Sequence, residues 1–259
     1  MVLARWWQGL KARREDAAVA RRAIPDDLWK RTLIRYPFLQ RRDAADAAEL
    51  RRLTSLFLDR KEFSASSGLR LTDAMVVAIA AQAVLPVLRL GLAHYDGFVG
   101  IVVHPDQVTA RREVADDDGV VHEFDEVLAG EAVAGGPVML SWRDVRGAGG
   151  SGSGHGLGGG AYNVVIHEFA HVLDFGGASA DWRGALDAEY KAFCARVDAG
   201  VDTTLDPYGA EAPEEFFAVA SEAFFVGPDD LKREHPALYE RLKALYRQDP
   251  ATERPPARR

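Results

Sequence analysis

Val164-Val165-Ile166-His167-Glu168-Phe169-Ala170-His171-Val172-Leu173-Asp174 is the stretch on which the reading of this chain turns. Its apolar residues recur at helical spacing, so it predicts an amphipathic helix. His167 and His171 stand four apart and therefore share one helix face. Two imidazoles on one face can reach a single ion. Glu168, next to the first of them, can hold a water at that ion and take its proton. Two neutral imidazoles and a carboxylate, with one position left open for water, suit zinc, although other divalent ions accept the same donors. With only seven histidines in 259 residues, chance would produce His-Glu-x-x-His in roughly a few per cent of such chains or fewer. Exposed placement fits poorly, because Val164, Val165, Ile166, Phe169, Val172 and Leu173 surround the polar residues. Buried histidines beside a buried glutamate need partners, and a metal supplies them.

A third ligand must come from elsewhere. A histidine six residues after the second one would complete the metzincin pattern, but that position is Gly177. The best source is the predicted helix beginning Pro213-Glu214-Glu215-Phe216-Phe217 and running through Ser221-Glu222. Glu215 and Glu222 are two helical turns apart and share a face. Phe217, Phe224 and Phe225 imply that much of this helix is buried, and a carboxylate pointing into such surroundings needs a cation or donors. One glutamate can bind the metal while the other orients a ligand histidine; helix geometry alone leaves open which does which. Asp174, one turn after His171, can accept the second N–H of a ligand histidine, or lie on the helix surface.

Outward from these helices, 47% apolar and 27% charged residues describe an ordinary globular chain. A net charge of −7 gives no electrostatic reason to expect nucleic acid. The single cysteine, Cys194, permits no internal disulfide and reads as buried filler. Met1 to Leu10 lacks the apolar core of a secretory signal, and Ala74 to Leu88, the longest apolar run, is too short to span a bilayer; a cytoplasmic protein is expected. Residues 1–22 are basic and read as a solvated, flexible N-terminus, with attachment through Trp6 and Trp7 as the sharper alternative. Helices are expected from Pro25-Asp26-Asp27, over Asp43 to Arg60, and over 73–88 behind a Thr72-Asp73 cap. Strand-like runs follow at Phe98 to His104, Val108 to Arg112, Gly119 to His122 and Val138 to Trp142, with Asp116 to Gly119 as a hairpin turn. The glycine tract 147–160 reads as a flexible loop that could rim a cleft, not as a phosphate loop. Helices over about 162–175, 182–198, 213–226 and 229–247 complete a single domain, 23–249, before a disordered tail, 250–259. Helices, then a small mixed sheet, then helices make an α+β fold.

At this point the chain resembles the Mlc titration factor A family of zinc peptidases. The resemblance rests on Asn163 to Asp174, on Leu205-Asp206-Pro207-Tyr208-Gly209-Ala210, and on Glu215 to Phe225, with weaker matches at Leu71 to Met75, Ile79 to Ala83, Val138 to Trp142 and Glu234 to Tyr239. The family in turn is similar to the catalytic domain of anthrax lethal factor around its zinc. The resemblance implies a zincin-like fold, one zinc ion held by His167, His171 and Glu215, Glu168 as base, Tyr208 as a catalytic tyrosine, and Glu222 in support of a ligand. A phenol beside the metal can stabilise the oxyanion formed when water attacks a peptide carbonyl. Read without the family, Tyr208 is a turn residue. One departure concerns the cleft rim: Ala161-Tyr162 stands where family members usually carry Gly-His before Asn163.

Three functions are thereby expected to compete. The first is hydrolysis of peptide bonds in small peptides, aminopeptidase-like by resemblance. The second is a regulatory protein that sequesters a sugar-responsive transcriptional repressor of the Mlc type, binding protein rather than DNA. The third is a closed structural zinc site, which would need a fourth protein ligand such as His155 and would have no use for Glu168.

Overall fold

The structure is a computed structural model that describes residues 2–115, 121–148, 161–174 and 179–252. Four helices lead. α1 (Val2–Arg21) is followed by α2 (Asp26–Arg35), α3 (Ala44–Arg60) and α4 (Asp73–Ala83). Asp43 caps α3 by accepting from the N–H of Asp46, and Thr72 caps α4 by accepting from that of Met75, so the first-turn donors of both are answered by side chains. α4 stops at Ala83, short of the expected 88. Pro86 has no N–H to give the carbonyl of Gln82 and disfavours helical backbone in the residue before it. The basic N-terminal stretch is helical where a flexible end was expected. Ala18 on α1 is buried, Arg21 pairs with Asp59 at 3.0 Å, and Glu15 pairs with Arg52 at 3.2 Å. Contacts to α3 that lie 37 and 38 residues away in sequence carry no local signature.

The sheet is small and mixed, as the fold class requires. β1 (Glu62–Ala65), β2 (Gly100–His104) and β6 (Val138–Ser141) run parallel, and β5 (Gly130–Ala132) closes the sheet antiparallel to β6, in the order β1-β2-β6-β5. β3 (Val108–Ala115) and β4 (Val121–Leu128) form a separate antiparallel pair; the turn expected at 116–119 lies outside the described residues. β1 and β5 are too short to announce themselves by alternation. Trp142 leaves the strand run and opens α5 (Trp142–Gly147) behind a Ser141 cap.

The site-bearing half consists of α6 (Val164–Leu173), α7 (Ser179–Asp198), α8 (Pro213–Val226), α9 (Pro228–Glu234) and α10 (Pro236–Tyr246). One helix was expected over 229–247. Pro236 divides it, and His235 before it leaves the helical region at φ −130°, ψ 61°. The stretch read as a disordered tail begins ordered: Pro250 is buried and the N–H of Ala251 donates to the Tyr239 hydroxyl. Residues 253–259 lie outside the described residues, as does most of the glycine tract, 149–160.

Aromatic packing sets the rotation of the two helices that matter. Phe169 of α6 packs against Tyr95, Phe57 and Phe98, with ring centroids 5.1, 5.7 and 5.7 Å away. It projects about 200° around the helix from His167, so burying it turns His167 and His171 outward. On α8, Phe217 and Phe224 stack on Tyr246, again roughly opposite Glu215 and Glu222. Among the described residues no helix is long and apolar enough to cross a membrane.

Candidate metal centre

The outward face of α6 meets the outward face of α8. His167 Nε2 lies 3.1 Å from Glu215 Oε2, and His171 Nε2 lies 3.5 Å from the same oxygen. One donor atom from each of His167, His171 and Glu215 falls within 4.8 Å of the other two. Ligands about 2.0–2.1 Å from a tetrahedral zinc stand about 3.3 Å apart, and the two histidine-to-glutamate separations of 3.1 and 3.5 Å match that spacing. Oxygen and two imidazoles are also the donor chemistry that zinc prefers.

Glu222, two turns along α8, lies behind the first histidine. Its Oε1 accepts from His167 Nδ1 at 2.8 Å, and its Oε2 accepts from the main-chain N–H of Asn163. A carboxylate can only accept here, so without a cation both ring nitrogens donate, Nδ1 to Glu222 and Nε2 to Glu215, and with a cation in the site the proton on Nδ1 would stay and the Nε2 lone pair would be left for the ion. Of the two glutamates that the sequence left open, Glu215 faces both Nε2 atoms and Glu222 faces Nδ1. Burial lowers the affinity of His167 for a proton, but the two carboxylates outweigh it and hold the imidazole well above its ordinary range. Burial raises Glu215, and its bonds to His167 and His171 overcome this and bring it down to about 2. This is the charge balance of a site built to be completed by a cation.

Glu168 is 5% exposed. Burial pushes its carboxyl up to about 7, against the pull of His167 and His171; a group poised near neutrality can both take and return a proton. Gly130 on β5 lies hard against it. A Cβ there would meet Glu168 Oε1, Cγ and Cδ at 2.5, 2.7 and 2.8 Å. Only glycine lets the edge strand approach the carboxylate this closely, and the sequence reading passed over it, because a lone glycine between short strands looks like a turn.

Tyr208 sits on a short 3-10 turn, Pro207–Ala210, capped by the Asp206 carboxylate through the N–H of Tyr208 at 3.0 Å. Its ring centroid is 6.1 Å from that of His167, and the side chain is 41% exposed. His167, Glu168, Tyr208, Glu222, Tyr162 and Asp206 line one cavity of about 410 Å³. Tyr162 donates to Asp144 Oδ1 at 3.5 Å, and burial first, then Asp144, pushes its hydroxyl far above the usual phenol range, so it lines the cavity as a neutral group. Asp174 is buried at the C-cap of α6. Cys194 is half-buried, with Sγ 3.9 Å from the carbonyl of Ala210. His155 lies outside the described residues.

The fold and the centre together define a metallopeptidase: the chain belongs to the glucose-regulated metallo-peptidase M90 family, whose model matches residues 10–247. Among its relatives is Mlc titration factor A of Edwardsiella ictaluri, 38% identical over 197 residues that cover 70% of this chain and 72% of the relative. Mlc titration factor A of Pectobacterium atrosepticum is 34% identical over 232 residues, 84% of each chain. Mlc titration factor A of Salmonella arizonae is 32% identical over 241 residues, 87% of this chain and 92% of the relative.

Proposed function

We propose that this metallopeptidase is a zinc enzyme that hydrolyses small peptides from their amino end, with His167, His171 and Glu215 holding the ion and residues 23–249 forming one catalytic domain. The observation that carries the reading is the convergence of those three donors, within 4.8 Å of one another, beside a buried carboxyl that lines one cavity with His167. When bound, zinc supplies Lewis acidity, which polarises a carbonyl and acidifies water. Glu168 takes the proton of the attacking water and returns it to the leaving amine. The Tyr208 hydroxyl donates to the oxygen on which negative charge develops. Glu222 keeps His167 in the tautomer that points Nε2 at the ion.

The aminopeptidase direction is supported by the cavity's charge. Glu168, Asp206 and Glu222 line it, and no lysine or arginine does among the described residues. Such a lining favours an ammonium and disfavours a terminal carboxylate. The lone cysteine fits a cytoplasmic site of action.

The test is a panel of aminoacyl and short-peptide chromogenic substrates, each also in N-acetylated form, with Glu168→Gln in parallel and zinc content measured. Cleavage of the free-amine substrates that vanishes in the variant is expected. Zinc-loaded protein inert towards every substrate would overturn the catalytic reading. A second reading then takes over, favoured by the name of the relatives, Mlc titration factor A: capture of an Mlc-type repressor. Repressor binding that survives both Glu168→Gln and zinc removal would establish it.

A further inference from the structure

Gln82 is wholly buried in α4, a helix otherwise made of small and apolar residues after its first position. It is far in sequence from the metal centre and belongs to none of the helices that form it. Its two polar atoms are both engaged. Nε2 donates to the carbonyl of Ala78 at 3.0 Å, and Oε1 accepts from Asn163 Nδ2 at 2.8 Å.

Asn163 is also wholly buried, and each of its polar groups is spoken for. Oδ1 accepts from the N–H of Ile166 at 3.0 Å and caps α6. Its carbonyl accepts from the N–H of His167 at 3.0 Å. Its main-chain N–H donates to Glu222 Oε2, whose Oε1 takes the Nδ1 proton of His167. The direction of this relay is not a matter of choice. A main-chain N–H at Ile166 must face an oxygen, and a main-chain carbonyl at Ala78 must face a nitrogen. Both side-chain amides are therefore oriented by the backbone at either end.

We infer that Gln82 is a positioning residue for the metal centre: through Asn163 it pins the start of α6 and the Glu222 carboxylate, and so fixes the direction of His167 Nε2. The inference rests on the proposed zinc reading of His167, His171 and Glu215. A buried amide with no such task would be replaceable by an apolar side chain of equal length at little cost to the site.

Zinc affinity of the full chain, measured by competition with a chromophoric chelator, reads this directly. Gln82→Met keeps the length and loses the hydrogen bonds to Ala78 and Asn163, along with a contact to the Tyr36 hydroxyl. Asn163→Asp keeps the cap on Ile166 and sets an oxygen against Gln82 Oε1, breaking the same link from the other side. Each is expected to weaken zinc binding about tenfold, as partners beyond the ligands do. Combined with Glu222→Gln, Gln82→Met should add nothing further, because both act on one imidazole. A side chain that merely filled space would instead lower the melting temperature and leave affinity untouched. Should Gln82→Met fail to fold, Asn163→Asp carries the test alone. Affinities of folded variants within twofold of wild type, or effects of Gln82→Met and Glu222→Gln that simply add, would overturn the inference while the zinc reading stands. Wild-type protein that takes up no zinc would remove the reading itself, and the inference with it.

Discussion

α4 and α6 look alike as sequences. Each is about three turns long, mostly apolar, and capped by a side-chain oxygen, from Thr72 and Asn163 respectively. Both are buried by their neighbours. They differ in the polar groups they carry inward. α4 carries one neutral amide, Gln82, which is satisfied by a second amide and its own helix. α6 carries two imidazoles and a carboxyl, and α8 answers them with two more carboxylates. Neutral groups can saturate one another, whereas an excess of buried carboxylate needs a cation or protons. The comparison teaches that a polar residue in a buried helix marks function according to the charge left over once its partners are counted.

The largest expected effect separates charge from packing inside α6. Glu168→Gln keeps volume and removes the proton acceptor. Peptide hydrolysis should fall by about 10²–10⁴-fold, while zinc content, measured by atomic absorption, stays at one ion per chain. Next comes Gly130→Ala on the facing strand. Its new methyl must displace the Glu168 carboxylate, and a shift of about 1 Å costs about 100-fold in rate. Steady-state kcat/KM should drop accordingly with zinc affinity unchanged; a drop in both would mean that the strand supports the ligands as well. Glu222→Gln, whose target is the orientation of His167, should weaken zinc binding by about 10- to 100-fold, read by chelator competition.

The smallest effect concerns pH. In the folded chain the Glu168 carboxyl is pushed up to about 7 by burial, from an ordinary value of 4.5. Between those values the metal-free folded protein holds a proton that the unfolded chain has released. The contribution of Glu168 to its stability therefore falls as pH rises from about 4.5 to about 7 and levels off above. Glu168→Gln lacks this loss. The gap in melting temperature between metal-free variant and metal-free wild type should widen across that interval, and a constant gap would count against the burial of a titrating carboxyl there.

Much of this arrangement was legible in advance, for reasons that particular elements make clear. α6 and α8 announced themselves because strong periodicity and side-chain spacing are local properties. Glu215 was separated from Glu222 as a candidate ligand only by family resemblance; a helix face offers both, and the choice depends on how α8 slides along α6. The end of α4 at Ala83 and the break at Pro236 were readable from proline chemistry, yet the first was set too far along and the second was missed. α1, β1 and β5 escaped because their stabilising contacts are distant: Arg21 with Asp59, or three residues of β5 against β6. Gly130 and Gln82 escaped for a related reason. A missing side chain and a lone buried amide gain meaning only from the atoms opposite them, Glu168 in one case and Asn163 in the other.

The most direct test of the α6–α8 junction as a catalytic metal centre is anomalous diffraction at the zinc edge from crystals of zinc-loaded wild-type protein. The expected result is a single peak within about 2.0–2.2 Å of His167 Nε2, His171 Nε2 and a Glu215 oxygen, with a fourth position open towards Glu168 and Tyr208. A peak elsewhere, or one closed off by a fourth protein ligand such as His155, would contradict it.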